Sequence, residues 1–93
     1  MEYVSNITYS NDEQAWLSPE ITLQRSIHLM GVLESDGKIL IRQYSEDKKW
    51  YRVPIKSHKD TKEFSLRIKV GAEDSKIQIF TSVKPKEIKY AYI

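Results

Sequence analysis

The chain has 93 residues, 40% of them hydrophobic and 30% charged, with a formal net charge of +2. This length is one domain, residues 1–93, and a chain of this size buries roughly 60–65% of the surface its unfolded form exposes, enough for a thin core. No cysteine is present, which excludes disulfides, thiolate catalysis and cysteine metal sites, and the apolar runs are too short for a membrane-spanning helix, so no membrane insertion is expected.

In chain order, the residues read as strands with polar punctuation. A first strand is expected within YVSNITYS, residues 3–10. NDEQAWL, residues 11–17, fits one helical turn capped by Asn11 or Asp12. SPE, residues 18–20, could open another, since proline suits the first helical position. ITLQRSIHL, residues 21–29, alternates through Ile21, Leu23, Ile27 and Leu29, with Arg25 breaking the series. ESDGK, residues 34–38, carries Asp36-Gly37, the signal of a tight hairpin turn. KILIRQYS, residues 38–45, sets Leu40 and Tyr44 against Ile39 and Ile41.

SEDKK, residues 45–49, is a short polar connection. KWYRVPI, residues 49–55, sets Tyr51, Val53 and Ile55 against Trp50, Arg52 and Pro54. KSHKDTKE, residues 56–63, is longer and polar and suits a crossing between sheets. EFSLRIKV, residues 63–70, alternates almost without error: Phe64, Leu66, Ile68 and Val70 inward, and Glu63, Ser65, Arg67 and Lys69 outward. GAEDSK, residues 71–76, is another tight connection. KIQIFTSV, residues 76–83, turns Ile77, Ile79 and Val83 inward. KPK, residues 84–86, divides it from EIKYAYI, residues 87–93, with Ile88, Tyr90 and Tyr92 on one face.

About seven short strands with turns between them make an all-β fold, either an antiparallel β-sandwich or a small barrel of OB or SH3-like kind. Pro54 favours the sandwich. Proline within a sheet is confined to edges, strand starts and bulges, and a closed barrel has no edges.

WYRVPIK and EFSLRIKVGAEDSKIQIF together resemble the small immunoglobulin-like modules that accompany transglutaminase-like domains in surface proteins of Gram-positive bacteria. Tyr51, Pro54, Ile55 and Lys56 fall on an aromatic-x-Pro-Val-Lys element. Phe64, Ser65, Leu66 and Ile68 fall on the next strand, and Gly71, Ile77 and Ile79 on the turn and strand after it. The likeness covers about residues 50–80. Glu73, Asp74 and Ser75 depart from it, where a second glycine and an aromatic would stand. The resemblance implies an immunoglobulin-like sandwich and a non-catalytic accessory, spacer or binding domain of a larger bacterial surface or secreted protein. It carries no catalytic residue and no cofactor. It implies an extracellular or cell-surface setting if the chain is a fragment, whereas a whole chain without a leader would be cytoplasmic.

The chemistry-bearing residues are few. His28 and His58 are the only histidines, too few for a zinc site without cysteine. Acidic pairs recur in turns, Glu34 with Asp36, Glu46 with Asp47 and Glu73 with Asp74; oxygen-rich loops can hold calcium, but no EF-hand spacing exists and no metal is expected. Three scattered glycines make no phosphate-cradling loop, and no Gly-x-Ser-x-Gly occurs. No enzymatic activity is expected.

The aromatics interleaved with cations stand out: Arg42, Tyr44, Lys48, Lys49, Trp50, Tyr51 and Arg52 surround one expected hairpin. These are the candidate binding residues. Their partner would be a protein or a cell-wall polysaccharide, or, on the barrel alternative, nucleic acid, since rings beside cations hold single strands. Charge also divides along the chain. Residues 1–46 hold 3 basic and 7 acidic residues, and residues 47–93 hold 12 and 6. The imbalance is ordinary for a small domain's surface, and a monomer, or a weak dimer through an edge strand, is expected.

Overall fold

The computed structural model describes residues 1–55, 59–70 and 75–93. Among these residues there is no helix, and ten strands form two antiparallel sheets. The strands are β1 (Glu2–Tyr3), β2 (Thr8–Ser10), β3 (Ala15–Leu17), β4 (Ile21–Leu23), β5 (Ile27–Gly37), β6 (Ile39–Tyr44), β7 (Trp50–Arg52), β8 (Thr61–Ile68), β9 (Ser75–Thr81) and β10 (Pro85–Tyr92). The first sheet runs β1-β10-β5-β8. The second runs β2-β3-β9-β6-β7, with β4 also on β9. Among the described residues no ladder joins the two sheets into a closed barrel.

The two-residue period sorts the side chains. Along β5, Ile27, Leu29, Gly31 and Leu33 are buried, while His28, Met30 and Val32 are half-buried. Along β9, Ile77, Ile79 and Thr81 are buried between half-buried neighbours. Ile27, Leu29, Ile68 and Ile88 of the first sheet meet Leu23, Ile41, Ile77 and Ile79 of the second in one apolar cluster. The two sheets thus share a single interior, consistent with a β-sandwich. The Cα radius of gyration, 12.5 Å, is close to the roughly 12 Å of a compact domain this long.

Several expected elements differ from those observed, because the chain changes sheets more often than its periodicity reveals. Residues 3–10 are two strands, β1 and β2, in different sheets. Asn6, with φ of 58°, lies between them in the left-handed region that asparagine tolerates. Residues 21–29 are likewise β4 and β5, which lie in different sheets and part at residues 24–26 around Arg25. These two divisions, together with β3 in the segment expected as a helical turn, raise about seven strands to ten.

The two expected helical turns are absent. Residues 11–14 close a hairpin between β2 and β3, in which the Glu13 N–H donates to Ser10 Oγ at 3.3 Å. Residues 18–20 form a bulge. Trp16 and Leu17 pair with Thr81 and Phe80, and Ile21 to Leu23 pair with Ile77 to Ser75, so β3 and β4 follow one another along the same side of β9. Three residues there oppose two, and Pro19 sits where a ladder N–H is dispensable.

Ser18, only 3% exposed, holds this bulge. Its N–H donates to the Ile79 carbonyl at 2.9 Å, and its Oγ accepts from the Ile79 N–H at 2.9 Å. The Gln78 side chain donates to the Ser18 carbonyl at 3.0 Å. Ser18→Ala leaves the buried Ile79 N–H without its acceptor, a loss of about 1–3 kcal/mol in urea denaturation; Ser18→Thr, which keeps the hydroxyl, loses less.

Asp36-Gly37 is also not the expected hairpin turn. β5 and β6 lie in different sheets, and no described glycine has a positive φ. Gly37 is still strand, paired with Thr61. The chain then passes to the second sheet, held by the Lys38 N–H on Ser82 Oγ at 2.8 Å and the Ser82 N–H on the Lys38 carbonyl at 3.0 Å. Glycine is needed here for space: a Cβ at 37 would stand 2.8 Å from Val83 Cγ2.

Some other expectations hold. SEDKK closes the hairpin of β6 and β7, with the Ser45 N–H on the Lys49 carbonyl and Lys48 at φ of 64°. Pro54, expected inside the strand of residues 49–55, instead lies beyond the end of β7 at Arg52, although β7 is an edge strand of the second sheet among the described residues. The segment between β7 and β8 crosses from one sheet to the other, and so does the one between β8 and β9, which was expected as a tight connection. His58, Lys56, Gly71, Glu73 and Asp74 lie outside the described residues.

Candidate functional site

The outer face of the second sheet gathers most of the chemistry. Register places its side chains in three rows across the strands. Leu17, Phe80 and Leu40 form the first. Gln78, Arg42 and Arg52 form the second. Lys76, Tyr44 and Trp50 form the third. These rows hold three cations and no carboxylate.

Arg42 is the centre. Its guanidinium carbon lies 4.4 Å from the Trp50 ring centroid and 5.2 Å from that of Phe80. Its Nε and Nη2 both donate to Gln78 Oε1, at 3.1 and 2.6 Å. Gln78, anchored in turn to Ser18, fixes the arginine. Tyr44 meets Trp50 edge to face at 5.2 Å, and Lys76 Nζ lies 5.8 Å from the Tyr44 centroid. Cations over aromatic faces contribute about 0.5–1 kcal/mol at exposed sites.

Arg42 and Arg52 stand directly opposite one another on β6 and β7. Among the described residues neither has an ion-pair partner. A groove of about 560 Å³ beside them is lined by Lys38, Leu40, Arg42, Arg52, Phe80 and Glu13, among others.

Of the candidate binding residues, Arg42, Tyr44, Trp50 and Arg52 share this face. Lys48 and Lys49 are exposed at the tip of the hairpin. Tyr51 points to the other side of β7, as its adjacency to Trp50 requires; it is 50% exposed, and its hydroxyl donates to Asp47 Oδ2. Phe80, Gln78, Lys76, Leu40 and Lys38 were not anticipated. Alternation alone sets Lys76, Gln78 and Phe80 opposite Ile77 and Ile79, but the pairing of β9 with β6 carries no local signal.

Asp47 raises the Tyr51 pKa above the usual tyrosine value, first through this hydrogen bond and also through its charge. The neutral phenol is the donor, so the bond is fully present below the unfolded tyrosine pKa and is lost as pH rises through the folded one. In an ultraviolet titration, Asp47→Asn brings the Tyr51 ionisation down toward the free-tyrosine value of about 10. An unchanged titration contradicts the assignment.

The outer face of the first sheet is mixed. Glu63, Ser65 and Arg67 on β8 face outward and are exposed. His28 and Ser65 share a hydrogen bond, and Lys89 pairs with Glu87 at 3.7 Å. Among the described residues no three histidine, aspartate or glutamate side chains converge as metal ligands, and Asp47 is already bonded to the Lys49 N–H and Tyr51. Among the described residues no helix is long and apolar enough to cross a membrane. No family model, curated protein or solved structure matches the chain.

Proposed function

We propose that this chain is a non-catalytic binding or accessory domain of immunoglobulin-like type, part of a larger bacterial surface or secreted protein, which takes an anionic cell-wall polysaccharide on the outer face of its second sheet. The observation that carries this reading is the Arg42–Arg52 pair. Like charges directly opposite on an antiparallel ladder disfavour the pairing, and an anion seated between them offsets that cost. Trp50, Tyr44, Phe80 and Leu40 supply apolar surface beside the two guanidinium groups, suited to sugar rings that carry carboxylate or phosphate. An open sheet face accommodates a chain-like ligand that runs across it.

Calorimetric titration with a carboxylate- or phosphate-bearing polysaccharide tests this, with a neutral polysaccharide as control. The anionic polymer binds and the neutral one does not, and Arg42→Ala with Arg52→Ala weakens binding at least tenfold. Equal binding of both polymers, or none of either, overturns the reading. The rings beside cations also favour a second reading, single-stranded nucleic acid. An oligonucleotide that binds where the polysaccharide does not, with affinity falling steeply in salt, assigns the face to nucleic acid instead.

A further inference from the structure

We propose that the outer edge of β8 pairs antiparallel with the same edge of a second copy of this chain, in register about Ser65, joining the two first sheets into one. This proposal is independent of the ligand face, which lies on the other sheet. Among the described residues, β8 is the outermost strand of the first sheet and pairs with β5 alone. Eight residues make it a long edge, and an edge strand presents a row of unpaired backbone N–H and C=O groups that templates another strand.

The sequence of the edge selects the occupant. Residues 63–67 read Glu-Phe-Ser-Leu-Arg. Turned antiparallel about Ser65, this segment complements itself: Glu63 faces the partner's Arg67, and Arg67 faces the partner's Glu63. Opposite charges directly across a ladder stabilise it. Among the described residues, neither Glu63 nor Arg67 has an ion pair within its own chain. Registers about Glu63 or about Arg67 set like charges opposite each other. The register about Leu66 pairs Glu63 with the partner's Lys69, beyond the end of β8. On the inner side, half-buried Phe64 faces the partner's Leu66; a groove of about 920 Å³ along this edge is lined by Ile39, Ile55, Phe64 and Leu66 together with polar residues that include Glu63 and Arg67. The contact is isologous, as a two-fold dimer requires, and a strand-to-strand contact of this size makes a weak, concentration-dependent dimer.

Sedimentation equilibrium over a wide concentration range tests it. The mass rises from 11.0 kDa toward twice that value. Arg67→Glu, which sets Glu63 against a second carboxylate across the interface, weakens dimerisation at least tenfold. Glu63→Arg combined with Arg67→Glu restores it to within about threefold of the original, since the swapped charges complement each other again. Both variants alter exposed side chains and keep the far-ultraviolet circular dichroism of the parent. A monomer at all concentrations overturns the proposal. So does a dimer indifferent to Arg67→Glu, or one that the double exchange leaves broken.

Discussion

Gly31→Ala lowers the stability of this domain by about 3 kcal/mol in urea denaturation, the upper end of what overpacking a core costs. Gly31 lies in the middle of β5, directly opposite Phe64 on β8. A Cβ built at 31 stands 2.2 Å from Phe64 Cζ and 2.3 Å from Cε1. The ring lies across the space that a side chain would fill. Backbone conformation is not the reason for glycine here, since no described glycine has a positive φ. In a strand interior, glycine otherwise costs roughly 0.5–1 kcal/mol relative to alanine, so without the ring the substitution would be favourable. The companion experiment follows. In a Phe64→Leu background, Gly31→Ala costs less than about 1 kcal/mol, and the difference is the coupling between the two residues. Equal losses in both backgrounds would mean that the ring does not occupy that space.

Ile77→Ala removes about 2–5 kcal/mol, while Lys76→Ala, one residue earlier on the same strand, costs at most about 1 kcal/mol, the size of its contact with the Tyr44 ring. Ile77 is fully buried where the two sheets meet, and Lys76 lies on the outer face against Tyr44. A domain with a total stability of about 5–15 kcal/mol loses a large share of it to the first change and a small share to the second. The contrast between neighbours is the thermodynamic form of the two-residue period. Comparable effects at 76 and 77 would mean that β9 does not separate an interior from an outer face.

What the sequence made legible was the direction of side chains; what it hid was the partnership of strands. Phe64, Leu66 and Ile68 turn inward as their alternation requires, and Ile77, Ile79, Ile88 and Tyr90 do the same. The SEDKK hairpin was legible because its five polar residues join two strands that are neighbours in space. The change of sheet at residues 24–26 was not, because Ile21, Leu23, Ile27 and Leu29 keep the same parity on both sides of the corner and all face the shared interior. Asp36-Gly37 misled for a related reason. Its dipeptide signals a positive φ, whereas the glycine serves close approach to Ser82 and Val83. At the candidate site, Trp50, Tyr44, Arg42 and Arg52 could be grouped from one hairpin. Phe80 and Gln78, which complete the cradle of Arg42, come from a strand more than 30 residues away, and nothing local announces that ladder.

Interstrand nuclear Overhauser contacts along β5 test the central claim most directly, because β5 decides whether the alternating segments build two sheets around one interior. Backbone ladder contacts are expected from Leu29 to Leu66 on one side and to Tyr90 on the other, with no backbone ladder between β5 and β6, whose side chains meet only across the interior. A β5–β6 ladder closed by a turn at Asp36-Gly37 would contradict it.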